Sequence, residues 1–318
     1  VKGTFLEVTV MNDSIPDLQD PEMLRSILES LQTGLYLVDR DRRILLWNDG
    51  AERISGYLRQ DVIGRYCRDN ILVHCDESNR ILCGFECPLN DTMHDGEPRV
   101  AEIYLLHREG HRVPVRVRAV PIRDRHGSII GAAETFEERY LLPDPERRDN
   151  CFATAPCMDE MSGLPDHALV ESLLRENINL FAEHAIPFAL LCVQIDQLDH
   201  FTATHGREAG NAILSAVART LKNTLRPCDP VGRWAEDRFL AIVPYCAGST
   251  VEQVGERLKN VVGFAAIPWW GDRVSITISV GATSVCAGDD AGSIVSRAEK
   301  ALEQSLASGG DCVSGIYE

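Results

Sequence analysis

Apolar positions recur along this chain with two alternating periods, one helical and one of strands. After Asp20-Pro21, the residues Met23, Leu24, Ile27, Leu28 and Leu31 fall at helical spacing and predict an amphipathic helix that Gly34 ends. Leu35-Tyr36-Leu37-Val38, the turn Asp39-Arg40-Asp41-Arg42 and Ile44-Leu45-Leu46-Trp47 then read as a β-hairpin, with Asn48 as N-cap of a helix through Ala51 to Ile54. Strand patterns return at residues 113–117, at Pro121-Ile122 and, beyond the turn Asp124-Arg125-His126-Gly127, at residues 129–132. Pro143, Pro145 and Pro156 break any continuous helix between the two halves.

The second half alternates helix and strand. A helix through Leu169, Leu173 and Leu174 precedes a buried-strand run from Phe188 to Ile195, and a helix follows with Ile213, Leu214, Val217 and Leu221 on one face. Next comes a hairpin: Val231 leads in, Ala235-Glu236-Asp237 turns, and Phe239 to Val243 leads out. A helix carrying Val251, Val254, Leu258 and Val261, a strand from Val274 to Val280 and a last helix with Val295, Ala298 and Leu302 complete the pattern. The fold class expected is α/β (α+β), with a small sheet-and-helix domain followed by an α/β layer domain. The boundaries read as an N-terminal extension over 1–20, a first domain over 21–138, a proline-containing linker over 139–158 and a second domain over 159–318.

Composition narrows the function classes. The 318 residues suit two domains, and 44% hydrophobic with 25% charged residues is the balance of a soluble globular protein. A formal net charge of -16 argues against a nucleic-acid or anionic-membrane partner, which would need a basic face. No apolar run reaches the length of a membrane span and residues 1–10 lack a secretion signal, so a cytoplasmic location is expected. The eleven cysteines are odd in number and scattered, which does not suggest a disulfide framework.

The stretch G-L-Y-L-V-D-R-D-R-R-I-L-L-W-N-D-G-A-E-R-I-S-G-Y, closed by residues 113–132, resembles a PAS domain over about Leu24 to Glu137. The resemblance implies a sensor of some small ligand or cofactor that pairs with another copy. His94, His107, His111 and His126 read as ordinary surface or strand residues, and no residue set commits to haem or flavin. A separate cluster, Cys67, His74, Cys75, Cys83 and Cys87, has thiols and an imidazole at spacings open to zinc or an iron-sulfur centre. Reduced loop cysteines without metal, or a redox-responsive pair, are the other readings.

Asp159-Glu-Met-Ser-Gly-Leu-Pro-Asp-His167 and Arg233-Trp-Ala-Glu-Asp-Arg-Phe239 resemble the opening and signature motifs of the GGDEF, or diguanylate cyclase, family over about Asp159 to Cys312. The signature usually reads Arg, aromatic, Gly, Gly, Asp/Glu, Glu, Phe. Here Arg233, Trp234, Asp237 and Phe239 match, whereas Ala235, Glu236 and Arg238 replace both glycines and the second acid. The resemblance implies metal ligands at the positions of Gln194 and Asp237, with Asp196 the retained second acid of the strand-end motif. Guanine would be read at Thr202 and Asn211, and phosphates would be met at Leu306 and Gly310. A carboxamide at position 194 is a poor ligand for hard Mg²⁺. The added Cβ atoms and the charge of Glu236 crowd the phosphates. Metal, base, phosphate and backbone contacts all differ, and phosphoryl transfer depends on positioned charge.

Arg226-Pro-Cys-Asp229 stands at the family's product-binding spacing, and Arg257 matches a third contact. An Arg fork and an Asp acceptor can read one guanine from two edges. The expected function is therefore a cyclic-di-GMP receptor or interaction module with a degenerate cyclase domain, a homodimer with an unknown PAS ligand and downstream protein partner. An active diguanylate cyclase, which would need Mg²⁺, is the alternative. A dimerisation module without a nucleotide site is the third.

Overall fold

The computed structural model describes residues 20–67, 69, 71–78, 80–83, 86–139, 157–269 and 272–317. The N-terminal extension up to Gln19 and the three proline breaks of the linker lie outside these residues. The first domain runs α1 (Pro21–Ser30), β1 (Gly34–Asp39), β2 (Ile44–Trp47), α2 (Asp49–Ser55), α3 (Arg59–Val62), α4 (Pro88–Asp95), β3 (Arg99–Leu106), β4 (Arg112–Arg123) and β5 (Ile129–Glu138). Its five strands form one antiparallel sheet in the order β2-β1-β5-β4-β3. Asn48 caps α2 as expected, its side-chain oxygen accepting from Ala51 N at 2.8 Å and also from Leu35 N. Tyr36, Trp47 and Phe136 pack as a buried aromatic cluster.

Two details of α1 differ from the sequence pattern. The helix stops at Ser30, not Gly34, because Leu31 turns extended with ψ 134°. Gly34 instead opens β1, where a Cβ would lie 2.4 Å from the Phe136 ring. It is needed for close approach, not for capping. No residue of α1 is buried, so its apolar stripe stays open to solvent.

The second domain runs α5 (His167–His184), β6 (Phe188–Ile195), α6 (Leu198–His205), α7 (Arg207–Thr224), β7 (Val231–Arg233), β8 (Arg238–Pro244), α8 (Thr250–Gly263), β9 (Ala266–Trp269), β10 (Asp272–Ser275), β11 (Ile278–Ser284), α9 (Ala291–Ala307) and β12 (Val313–Ile316). The main sheet has the order β12-β11-β6-β8-β7. Strand β6 is buried on both faces, which explains its unbroken apolar run. Leu191 and Val193 meet α7 and α8, while Leu190 and Cys192 meet α5 and α9. The single strand expected from Val274 to Val280 is two: β10 pairs with β9 in a side hairpin, and β11 pairs with β6. Between them the Thr277 hydroxyl turns away to Asp196. Among the described residues no helix is long and apolar enough to cross a membrane.

The two domains touch directly, which the sequence pattern did not foretell. The β3–β4 hairpin docks on α7, α8 and β9. Arg112, 1% exposed, donates from Nε to Phe264 O at 3.0 Å and from its main-chain N to Thr220 Oγ1 at 3.2 Å. Asn223 donates back to Arg112 O, and Ala266 N donates to Gly110 O.

Candidate functional site

The hairpin between β7 and β8 is built as its sequence predicts, and its turn is clamped from beneath. Arg233 donates from Nη1 to both carboxylate oxygens of Asp159 at 3.1 Å, and from Nη2 to Glu236 O at 2.8 Å. The two motifs that are separated in sequence are thus one unit in space. Trp234 stacks on His167 with ring centroids 3.9 Å apart. Ala235 and Glu236 are exposed and neither has a positive φ, so the turn closes without the freedom glycine would supply. Phe239 is fully buried and anchors the hairpin to the sheet.

Gln194 and Arg238 are directly paired in register across β6 and β8, and Arg238 Nε donates to Gln194 Oε1 at 3.0 Å. Glu299 lies 3.6 Å from the same guanidinium. Asp196 is committed elsewhere: it accepts from Thr277 Oγ1 at 2.6 Å, Ser279 Oγ at 2.7 Å and Asp311 N at 3.0 Å. Those three donors tie the end of β6 to β11 and to the turn before β12, a structural task. Gly310 sits at φ +81° over this carboxylate, and Leu306 packs against the core. Asp237 is half-buried, and its carboxyl is held above the ordinary range by burial, with Asp199 and Glu236 adding negative charge. Thr202 and Asn211 lie on the consecutive helices α6 and α7, and Thr202 packs against Gly210, the residue before Asn211.

Arg226 and Asp229 are brought together by a tight turn. Asp229 N donates to Arg226 O at 2.9 Å, and Arg226 N donates to Asp229 Oδ2 at 3.1 Å. Asp229 is 6% exposed whereas Arg226 is exposed. Burial raises the Asp229 carboxyl, and the positive charges of Arg226 and Arg257 oppose that rise. Arg257 is therefore close enough to act on Asp229, and its buried Nε has no hydrogen-bond partner. Arg226 and Asp229 line a cavity of about 490 Å³ that also takes Val113, Pro114, Glu138 and Arg139 from the first domain.

The expected Cys/His cluster divides. Cys67, Cys83 and Cys87 sit near Glu134, and burial raises each thiol, that of Cys83 to about 12. His74 N donates to Cys83 Sγ at 3.1 Å, and its Nε2 is buried without a hydrogen-bond partner 3.8 Å from Glu134. Cys75 does not belong to this group, because it packs at the domain junction with Tyr104 and Val261. Cys75 therefore stands apart from Cys67, His74, Cys83 and Cys87, and the zinc or iron-sulfur set of five is not assembled as one.

One residue that sequence reasoning passes over completes the group. Glu134, fully buried, accepts from Tyr36 OH at 2.9 Å, and burial lifts its carboxyl to about 7. The period of two along β5 was the available signal: Glu134 lies between Ala132 and Phe136, both core residues.

Among the described residues the histidines, cysteines and acids that do converge are His107, Glu109 and His111, with ligand atoms all within 4.8 Å of one another. Far from being ordinary surface or strand residues, His107 and His111 stack at 4.2 Å, and His111 is 7% exposed. Burial lowers both imidazoles, His111 to about 3. His94 and His126 are exposed as expected.

Comparison with known proteins identifies the two domains. The family model "PAS fold" matches residues 22–138, and "Diguanylate cyclase, GGDEF domain" matches residues 157–312. Diguanylate cyclase A of Treponema denticola is 31% identical over 133 residues, 42% of this chain and 36% of that protein. Diguanylate cyclase DgcP of Pseudomonas aeruginosa is 27% identical over 292 residues, 91% of this chain and 41% of its own. The chain thus spans well under half the length of these relatives. Among solved structures, the GGDEF domain of DgcB from Caulobacter crescentus in complex with c-di-GMP is similar at a TM-score of 0.49 and 22% identity, covering 51% of this chain and 96% of that one.

Proposed function

The chain is a PAS domain followed by a GGDEF domain, and from that premise we propose that it serves cyclic-di-GMP signalling as a receptor or interaction module with a disabled cyclase centre. The observation that carries this reading is a contrast within one domain. Where the GGDEF resemblance implies a metal carboxylate, Gln194 is engaged by the Arg238 guanidinium. A cation held there repels the dication that phosphoryl transfer needs. The Arg226 and Asp229 pair, by contrast, stands preorganised at the wall of a cavity.

The chemistry suits a guanine ligand. The exposed Arg226 fork would donate to O6 and N7, and Asp229 would accept from the opposite edge. Arg257, beside Asp229, adds positive charge for a phosphate. A homodimer, a small ligand of the PAS domain and a downstream protein partner complete the proposal.

Calorimetric titration of the full chain with cyclic-di-GMP and with GTP tests it. Saturable binding of cyclic-di-GMP with no turnover of GTP is expected. Absence of cyclic-di-GMP binding at high micromolar ligand overturns the receptor reading. The retained Asp237 carboxylate favours a second reading, an active diguanylate cyclase. Product formation from GTP and Mg²⁺ or Mn²⁺ that Asp237→Ala abolishes would establish that instead.

A further inference from the structure

The tip of the β3–β4 hairpin is the sequence His107-Arg-Glu-Gly-His111, folded into a tight loop at the domain junction. His107 N donates to His111 O at 2.9 Å and Gly110 N to His107 O at 2.9 Å, so the two histidines face each other across the base of the turn. Gly110 has φ +92°, and its carbonyl accepts from Ala266 N of the second domain. The loop is therefore fixed from both sides before any ligand arrives.

Three donors converge in it. Ligand atoms of His107, Glu109 and His111 all lie within 4.8 Å of one another, and Glu109 Oε2 is 4.0 Å from His107 Nδ1. Hydrogen bonding leaves the set incomplete. His111 is 93% buried by its 7% exposure, yet its Nδ1 has no hydrogen-bond partner. A buried polar atom left without a partner costs free energy that a bound ion would recover. Glu109 is held by Arg219 of α7, so the one anionic donor is now shared across the junction.

We propose that His107, Glu109 and His111 bind a first-row divalent transition ion of the zinc class at the junction of the PAS and GGDEF domains. Two imidazoles and one carboxylate are ligands that zinc accepts readily, and three protein ligands leave a further position for water. Binding is coordination only, with no electron transferred. The ion replaces two present contacts: the donation of Glu109 N to His107 Nδ1 at 3.1 Å, and the ion pair of Glu109 with Arg219. Metal occupancy and domain docking therefore compete for the same carboxylate. The site reports metal availability directly to α7, the helix that also carries Thr220 and Asn223 against Arg112.

Titration of the chelator-treated full chain with Co²⁺ and with Zn²⁺, each alone, tests the site. One ion per chain is expected, with a Co²⁺ spectrum that lacks a thiolate charge-transfer band and is unchanged in Cys83→Ser. His107→Ala should weaken binding about tenfold or more, and Arg219→Ala should tighten it severalfold by releasing Glu109. His111→Gln should also weaken binding; because that residue is buried, its melting curve is recorded alongside, and the more exposed His107→Ala decides if the fold is lost. No binding by the wild type, or binding that His107→Ala leaves unchanged, overturns the proposal. So does a thiolate band that Cys83→Ser removes. An affinity indifferent to Arg219→Ala overturns the link to docking.

Discussion

Arg238 donates from Nε to the side-chain oxygen of Gln194 across 3.0 Å, joining β8 to β6 at the mouth of the second domain. The pair is directly opposed in register, so the contact follows from the strand pairing itself. It puts a fixed positive charge beside the one retained signature acid, Asp237, at 4.0 Å.

That geometry predicts no cyclase turnover. Full-length protein given GTP with Mg²⁺ or Mn²⁺ should yield no cyclic-di-GMP above a no-protein control, by chromatographic assay. Removing the guanidinium alone, in Arg238→Ala, should not restore activity, because Gln194 still offers a neutral oxygen where a hard dication wants a carboxylate. Turnover by either protein refutes the disabled-centre reading.

The receptor pair predicts a different pattern. Losing a charged, bidentate contact costs a few kcal/mol, so Arg226→Ala should weaken cyclic-di-GMP binding by about 30-fold or more. Asp229→Ala should act comparably, since its carboxylate also fixes Arg226 N. Glu236→Ala, at an exposed residue outside the cavity that Arg226 and Asp229 line, should change the affinity little. Equal affinities across all four proteins would place the ligand elsewhere.

Much of this architecture is legible in the sequence, and the failures have physical causes. The hairpin of β7 and β8 and the two-faced burial of β6 announce themselves because local pattern and tertiary burial agree there. The run from Val274 to Val280 reads as one strand because all its residues suit strands. What divides it is a long-range hydrogen bond, Thr277 to Asp196, that no local pattern encodes. Spacing groups Cys75 with Cys83 and Cys87, yet its backbone bridge to Tyr104 seats it beside Val261. Direct docking of the domains is hidden because its contacts are single long-range ones, such as Arg112 Nε to Phe264 O, Ala266 N to Gly110 O and Arg112 N to the Thr220 hydroxyl, that no local pattern encodes.

Docking yields a test at Gly110. Its φ is +92°, and a Cβ there would lie 2.7 Å from Ile267 Cα and 2.8 Å from Ala266 O. Gly110→Ala should therefore push the hairpin off β9, in addition to roughly 1–2 kcal/mol of backbone strain. The amide of Ala266, which donates to Gly110 O, should lose at least about tenfold of its hydrogen-exchange protection, while amides within β6 keep theirs. Unchanged protection at Ala266 would show that the junction tolerates the methyl group.

Buried Glu134 sets the last prediction. Burial raises its carboxyl from 4.5 to about 7. The folded state therefore holds the proton more tightly than the unfolded chain does. The stability linked to that proton is fully present below about pH 4.5 and is lost as pH rises through 7. Across that window the loss is on the order of 3 kcal/mol, at about 1.4 kcal/mol per pH unit of displacement. His74, lowered from 6.5 to about 4 by burial, works in the opposite sense: its stability is complete above 6.5 and falls away below. The wild-type profile alone thus mixes the two. Glu134→Gln separates them, because the amide can still accept from Tyr36 OH but cannot ionise. Denaturant melts at pH 5, 6, 7 and 8 should show the variant gaining stability relative to wild type as pH rises. A stability difference independent of pH would mean that Glu134 does not titrate in this range.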